Sequence, residues 1–276
     1  MAGLEKRDCT RSMTPLPRGI VDPSGSATRI RVNYYTPSAA LASFIDHHWI
    51  VEWDLTGRLP EQQRALLSPN AHLVICPGQS GLFGVVRGAY CRTLAGSGCV
   101  LGLRFRTGGL RPFLNGPVAK LTDRTLPVSV ITGLDGASLE RQVLGACGNE
   151  AMIHAANSLL EHRLPPPDPT IDEVCVIVAC ARRDGGPLRV EALADEARLS
   201  VRTLQRLFHE YVGISPKWVI RRYRLQEAAQ RLATGHNVKL ADLAAELGYF
   251  DQAHLARDFT RLFGCSPSNY RRTQIN

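Results

Sequence analysis

The stretch LSVRTLQRLFHEYVGISP, residues 199–216, sets Arg202, Gln205, Arg206 and His209 at helical spacing. At 100° per residue the four fall in a stripe about 100° wide, opposite Leu204 and Tyr211. A guanidinium can donate two parallel hydrogen bonds to guanine O6 and N7, and a carboxamide can pair in the same way with adenine N6 and N7. Such a stripe is equipped to read the edges of base pairs. Between Arg198 and Arg224 the chain has seven Lys and Arg (198, 202, 206, 217, 221, 222, 224) and one acid, Glu210. In a single helix this could be no more than a solvated basic face. A second occurrence of the same unit argues otherwise.

LADEARLSVRTLQRLFHEYVGISP, from Leu193, lies over LAAELGYFDQAHLARDFTRLFGCSP, from Leu243. Leu193/Leu243, Ala194/Ala244 and Glu196/Glu246 are offset by 50, whereas Ser200/Asp251, Leu204/Leu255, Arg206/Arg257, Phe208/Phe259, Gly213/Gly264 and Pro216/Pro267 are offset by 51. One residue is added in the turn. Each unit reads as a short helix, a turn, and a second helix opened by a side-chain cap, which is the helix-turn-helix layout. In the second unit the positions matching Arg202, Gln205, Arg206 and His209 are Ala253, Ala256, Arg257 and Thr260. Only Arg257 can pair bidentately with a base, so the two readers are expected to be unequal.

From about Ile171 to Arg272 the sequence resembles the AraC/XylS-type DNA-binding domain. The resemblance rests on the two repeated stretches, on the connecting PKWVIRRYRLQEAAQRLATG, and on the closing SNYRR. It implies a transcription factor of seven short helices, with two helix-turn-helix units reading successive major grooves of double-stranded DNA. The implied base contacts are Arg202, Thr203, Gln205, Arg206 and His209, and in the second unit Gln252, His254 and Arg257. Ser200, Lys217, Arg221, Arg222 and Arg261 are the implied phosphate contacts, which add affinity and salt dependence rather than sequence choice. RNA polymerase is an expected partner, and a homodimer is compatible with the sequence without being required by it.

The elements that must carry this chemistry fall into two halves, giving an α+β chain. Over 276 residues the composition is 44% hydrophobic and 21% charged, as in a soluble globular protein. Residues 170–276 hold 16 Lys and Arg against 12 Asp and Glu, leaving 17 and 13 for residues 1–169, so the net +8 divides evenly. Residues 1–28 have no apolar leader and read as a disordered tail. Residues 29–164 form the expected effector-sensing or dimerising domain, 165–169 a proline-rich linker, and 170–276 the DNA-binding domain. Thr170 with Glu173 reads as a capping box; Ser200, Ser215, Asp251 and Ser266 read as further starts, and Gly213, Gly235 and Gly264 as stops.

Short runs such as HWIVEWDL, AHLVICPG and GCVLGLRFRTGG predict a small antiparallel β barrel or sandwich, cupin-like at most, followed by helices over 135–164. GLRFRTGGLRPFL with PVAKLTDRTLPV resembles the front domain of an AraC-type subgroup with no established ligand. An unknown small-molecule effector would meet Trp49, Trp53, Arg104 and Arg106. Cys76, Cys91 and Cys99 allow a thiol- or electrophile-responsive variant, although thiols at strand positions are usually buried. Cys175 and Cys180 read as helix core.

No spaced His-x-His with a following Glu supplies a metal site, and no cofactor is implied. No nucleophile elbow, phosphate loop, dinucleotide fingerprint or clustered carboxylate pair suggests an enzyme. The competing class is a protein that binds polymerase or another partner without reading sequence. Reduced cysteines, no export signal and no run long enough for a membrane span place the chain in the cytoplasm.

Overall fold

The computed structural model describes residues 29–65, 67–234 and 238–275. The expected tail 1–28 and the stop at Gly235 lie outside the described residues. The front half contains β1 (Ile30–Tyr35), β2 (Ile45–Leu55), β3 (Glu61–Ala65), β4 (His72–Ile75), β5 (Gly81–Phe83), β6 (Tyr90–Leu94), β7 (Gly96–Phe105) and β8 (Thr125–Leu126). Six of these form an antiparallel sheet in the order β1-β2-β7-β4-β5-β8, and among the described residues β3 and β6 pair in a separate two-stranded ribbon. A closed barrel is not formed: β8 is two residues long, β5 three, and neither β8 nor β1 has an outer partner among the described residues.

Strand alternation gives the sheet two different faces. Ile50, Leu73, Ile75, Leu82, Leu101, Leu103 and Phe105 point one way and form a core with α1 (Ser129–Thr132), α2 (Gly136–Leu144) and α3 (Asn149–Glu161). Those helices bury Leu139, Val143, Met152, Ile153, Ala156 and Leu160. The opposite face carries a smaller cluster of Val74, Cys76 and Val100 beneath half-buried Trp49, Val51, Trp53 and Phe83. Opposite Trp49 in the register stands Gly102, and opposite Trp53 stands Gly98. A Cβ at either glycine would overlap the indole, so each ring lies flat across its neighbouring strand.

The second half is helical: α4 (Thr170–Arg182), α5 (Val190–Glu196), α6 (Val201–Leu207), α7 (Pro216–Thr234), α8 (Leu240–Glu246), α9 (Gln252–Phe263) and α10 (Pro267–Ile275). One π-helical turn, Phe208–Val212, extends α6, whereas α9 is α-helical throughout. Ser200, Asp251, Ser215 and Ser266 each accept the backbone N–H three residues on. The Thr170 capping box is not used. Helix α4 begins at Thr170 itself, whose N–H donates to Asp168 Oδ1 at 3.0 Å, because that carboxylate already reaches the helix start.

Each unit has its own core. The first gathers Leu193, Leu204, Phe208 and Val212 with Val219, Ile220 and Tyr223 of α7. The second gathers Leu243, Leu255, Phe259 and Phe263 with Leu225, Ala228, Ala229 and Leu232. Burying each central Phe, at roughly 2 to 3 kcal/mol, fixes which faces of α6 and α9 are left outward.

Candidate nucleic-acid interface

With Leu204 and Phe208 buried, α6 leaves Arg202, Gln205, Arg206 and His209 exposed, as the spacing requires. Thr203 is half-buried, its Oγ1 2.8 Å from Ser200 Oγ, so both hydroxyls serve the cap. Glu210, the one acid nearby, is turned aside into an ion pair with Arg111 at 3.3 Å. The outward stripe therefore has no counter-charge on its own helix apart from that carboxylate, which lies 3.8 Å from His209.

On α9, Gln252, His254, Arg257 and Arg261 are exposed, but two of them are engaged within the chain. Arg257 Nε donates to the Ala253 carbonyl at 3.4 Å. His254 packs edge-on to Tyr249 with ring centroids 5.1 Å apart, and its Nε2 lies 3.6 Å from Asp258. Asp258, buried, also forms an ion pair with Arg221 of α7. Burial, and then the Asp258 charge, push the Tyr249 hydroxyl up to about 12. The Tyr249–His254–Asp258–Arg221 cluster thus holds the start of α9 against α7.

One expectation about basic residues changes. Arg222, expected at a phosphate, is 2% exposed: it donates to the Leu67 carbonyl at 2.8 Å and lies over the Trp218 ring, and burial lowers it to about 10. Helical phase explains this, since Arg222 lies beside Val219 on the inner side of α7. Arg224, part of the same basic run, is also buried and donates to the carbonyls of Ala181 and Arg183. Lys217 remains exposed at the start of α7, and Arg261 near the end of α9.

A family model described as a helix-turn-helix domain matches residues 193–273. A putative AraC-like transcription regulator of Streptomyces lividans is 36% identical over 102 residues, which is 36% of this chain and 33% of that protein. The C-terminal domain is an AraC-type helix-turn-helix domain. VirS of Mycobacterium tuberculosis, a transcriptional regulator, is 35% identical over 116 residues, 42% of this chain and 34% of its own. The chain spans about a third of the length of these curated relatives. A second model, described as a domain of unknown function, matches residues 33–127. Among solved structures, ToxT from Vibrio cholerae O395 aligns over 90% of this chain and 98% of its own, at 14% identity and a TM-score of 0.35.

The AraC-type domain is held by residues of the linker and the front half that sequence reasoning did not single out. Tyr211 Oη donates to Asp168 at 2.8 Å, Thr122 Oγ1 to the Gly213 carbonyl at 2.5 Å, and Arg64 to the Leu262 carbonyl at 3.0 Å. All are isolated polar residues in loops or on a short ribbon, without spacing or motif to mark them. The expected effector residues separate. Arg104 sits near Trp49, donating to Asn70 at 2.8 Å and lying 3.5 Å from Asp46, while Trp49 donates to His72 at 3.2 Å. Asp46 is the extra residue where the β2–β7 register shifts, and its hydrogen bond with His47, then the Arg104 charge, hold it below the usual carboxylate range. Arg106 instead pairs with Asp172 of α4 at 2.6 Å, so the two arginines do not converge on one site. Trp53 donates to the Ala95 carbonyl.

Of the strand thiols, Cys76 is buried and accepts from Arg92 at 2.6 Å, but Cys91 is exposed because β6 belongs to the two-stranded ribbon. Among the described residues no group of three or more His, Cys, Asp or Glu could hold a metal ion, and no helix is long and apolar enough to cross a membrane.

Proposed function

We propose that this chain is a sequence-specific DNA-binding transcription regulator that reads two successive major grooves with α6 and α9. The observation that carries this reading is the outward stripe of Arg202, Gln205, Arg206 and His209 on a capped helix whose other face is fully buried. The AraC-type family match and the regulators among its relatives support it. Thr203, Gln252, His254 and Arg257 complete the base-facing set; Ser200, Lys217, Arg221 and Arg261 flank it toward phosphate. Helix α6 supplies most of the selectivity, since α9 presents alanines at two of the four matching positions. The two helix-turn-helix units within residues 170–276 form the reading module, and residues 29–164 the sensing module, with an effector at the Trp49, Trp53 and Arg104 face. The chain acts in the cytoplasm, with RNA polymerase as the partner, and catalyses no reaction of its own.

Selection from a randomised DNA pool with the full chain, at low and moderate salt, tests this. Recovery of a shared sequence spanning about two helical turns is the expected result. Binding that is uniform across sequences and disappears with salt would instead favour the partner-binding alternative.

A further inference from the structure

The stripe that α9 turns outward is mostly apolar, unlike that of α6. Its positions are Ala253, Ala256, Arg257 and Thr260, and both polar side chains among them bond back to their own helix. Thr260 Oγ1 donates to the Ala256 carbonyl at 2.7 Å, and Arg257 Nε to the Ala253 carbonyl at 3.4 Å. A threonine whose hydroxyl is satisfied by the preceding turn leaves its methyl as the group open to a partner. Thr260 and Ala253 are exposed, and Ala256 is half-buried.

Phe250 extends this surface. Its ring is 93% exposed, directly ahead of the cap Asp251 and three residues before Ala253. A lone exposed apolar side chain is ordinary on a protein surface. This one is held out by a fixed turn. On one side the Tyr249 N–H donates to the Ala244 carbonyl at 2.9 Å, and the Tyr249 ring packs on His254. On the other, Asp251 accepts the His254 N–H at 2.6 Å. Leu199, the residue ahead of the first cap, packs instead against the core of its own unit. In helix-turn-helix proteins the N-terminal end of the second helix approaches the base edges. Phe250 stands at that end, and with only two side-chain torsions it loses little entropy on contact.

The C5-methyl of thymine projects into the major groove, and phenylalanine, alanine and the threonine methyl are the side-chain groups that meet it there. We propose that the second unit recognises thymine through that methyl group, with Phe250, Ala253 and Thr260 as the contact surface, while the first unit reads bases by hydrogen bonds. The inference rests on the DNA-reading assignment above. These contacts add to those of Gln252, His254 and Arg257.

The test uses the full chain and the sequence selected from the random pool, with thymine replaced by deoxyuracil, which lacks only the methyl group. Arg206→Ala and Arg257→Ala show, by the base preference each relaxes, which half of the site belongs to which helix. Each replacement at a contacted thymine in the α9 half is expected to lower wild-type affinity about fourfold, the transfer of one methyl group. In the α6 half uracil should bind as thymine does. Phe250→Ala and Thr260→Ser, which keeps the hydroxyl bond to Ala256, should each bind the thymine site more weakly and lose the uracil penalty at one position. Both side chains are exposed, so neither change disturbs the core. Loss of the penalty at one position separates a methyl contact from a general weakening of α9. A penalty equal in the two halves, none in the α9 half, or one that neither variant removes overturns the inference. So does an α9 half without thymine, which leaves the DNA-reading assignment standing. A pool that yields no shared sequence overturns that assignment, and this inference with it.

Discussion

Leu199 and Tyr249 hold the same place in the two units: the N–H of each donates, at 2.9 Å, to the carbonyl of the alanine five residues earlier, Ala194 or Ala244. The residues before them match as well, Arg198 and Gly248 both adopting left-handed conformations, with φ of 55° and 74°. The offset of 50 therefore persists through Tyr249, and the residue added in the second turn is Phe250. It is 93% exposed, directly ahead of the cap Asp251.

Because its side chain packs on nothing within the described residues, Phe250→Ser should leave stability within about 0.5 kcal/mol of wild type. Urea unfolding monitored by circular dichroism checks this. A markedly lower midpoint would show that the ring is covered in solution, by the chain itself or by a second copy.

The two arginines at equivalent positions should differ in effect. Arg206 extends from α6 without a partner among the described residues, whereas Arg257 is bonded to its own helix. Arg206→Ala should relax base preference at its contacted position, costing about 1 to 3 kcal/mol of discrimination. Arg257→Ala should relax it less. Binding measured across a panel of single-base variants compares them, and equal or reversed losses would contradict the assignment of α6 as the main reader.

Lys217 and Arg222, expected in one role, stand in different settings, the first exposed and the second buried. Removing an exposed phosphate contact lowers the slope of log affinity against log salt by about one. Lys217→Ala should do so, and Arg222→Met should leave the slope unchanged, since the buried guanidinium has no path to DNA. A reduced slope for Arg222→Met would mean that the side chain swings outward on binding.

Acid should weaken the front half. His48 is buried with Nε2 2.7 Å from Asn157 Oδ1, and burial brings it from 6.5 down to about 4. The unfolded chain therefore binds the proton more tightly, so stability is intact above about pH 6.5 and falls as pH drops toward 4, by about 3 kcal/mol in all. His72, lowered to about 3 by burial first and by the Arg104 charge next, adds to the same slope. Urea midpoints between pH 7.5 and 5 should decline less steeply for His48→Leu than for wild type.

The helical half was legible in the sequence because its signals are local. A cap side chain, a glycine that tolerates positive φ and an apolar stripe each act within a few residues, as at Ser200, Gly213 and Leu204. The outward reading stripe follows from them directly. Sheet closure depends on which strands meet across long intervals, and nothing local showed that β3 and β6 would leave the main sheet. The same reason hides the burial of Arg222, whose acceptor at Leu67 is 155 residues away. Helical phase sets Arg222 beside Val219 on the inner side of α7, but the distant acceptor that lets a charge stay buried there leaves no local mark.

Helix α4 serves both halves at once. Ile171 is buried in the front core and Cys175 packs against it, while Val174, Ile177, Val178 and Ala181 belong to the first reading unit. The prolines at 165–167 therefore precede a helix that packs in both cores, and do not mark a seam between independent ones. A fragment cut there and begun at Thr170 would carry a strip of the other half's interior into water, and one ended there would lack part of its floor. A change of shape passing between the two halves has this shared helix as one route, beside the polar contacts of Arg64, Thr122 and Arg111 with the helical half.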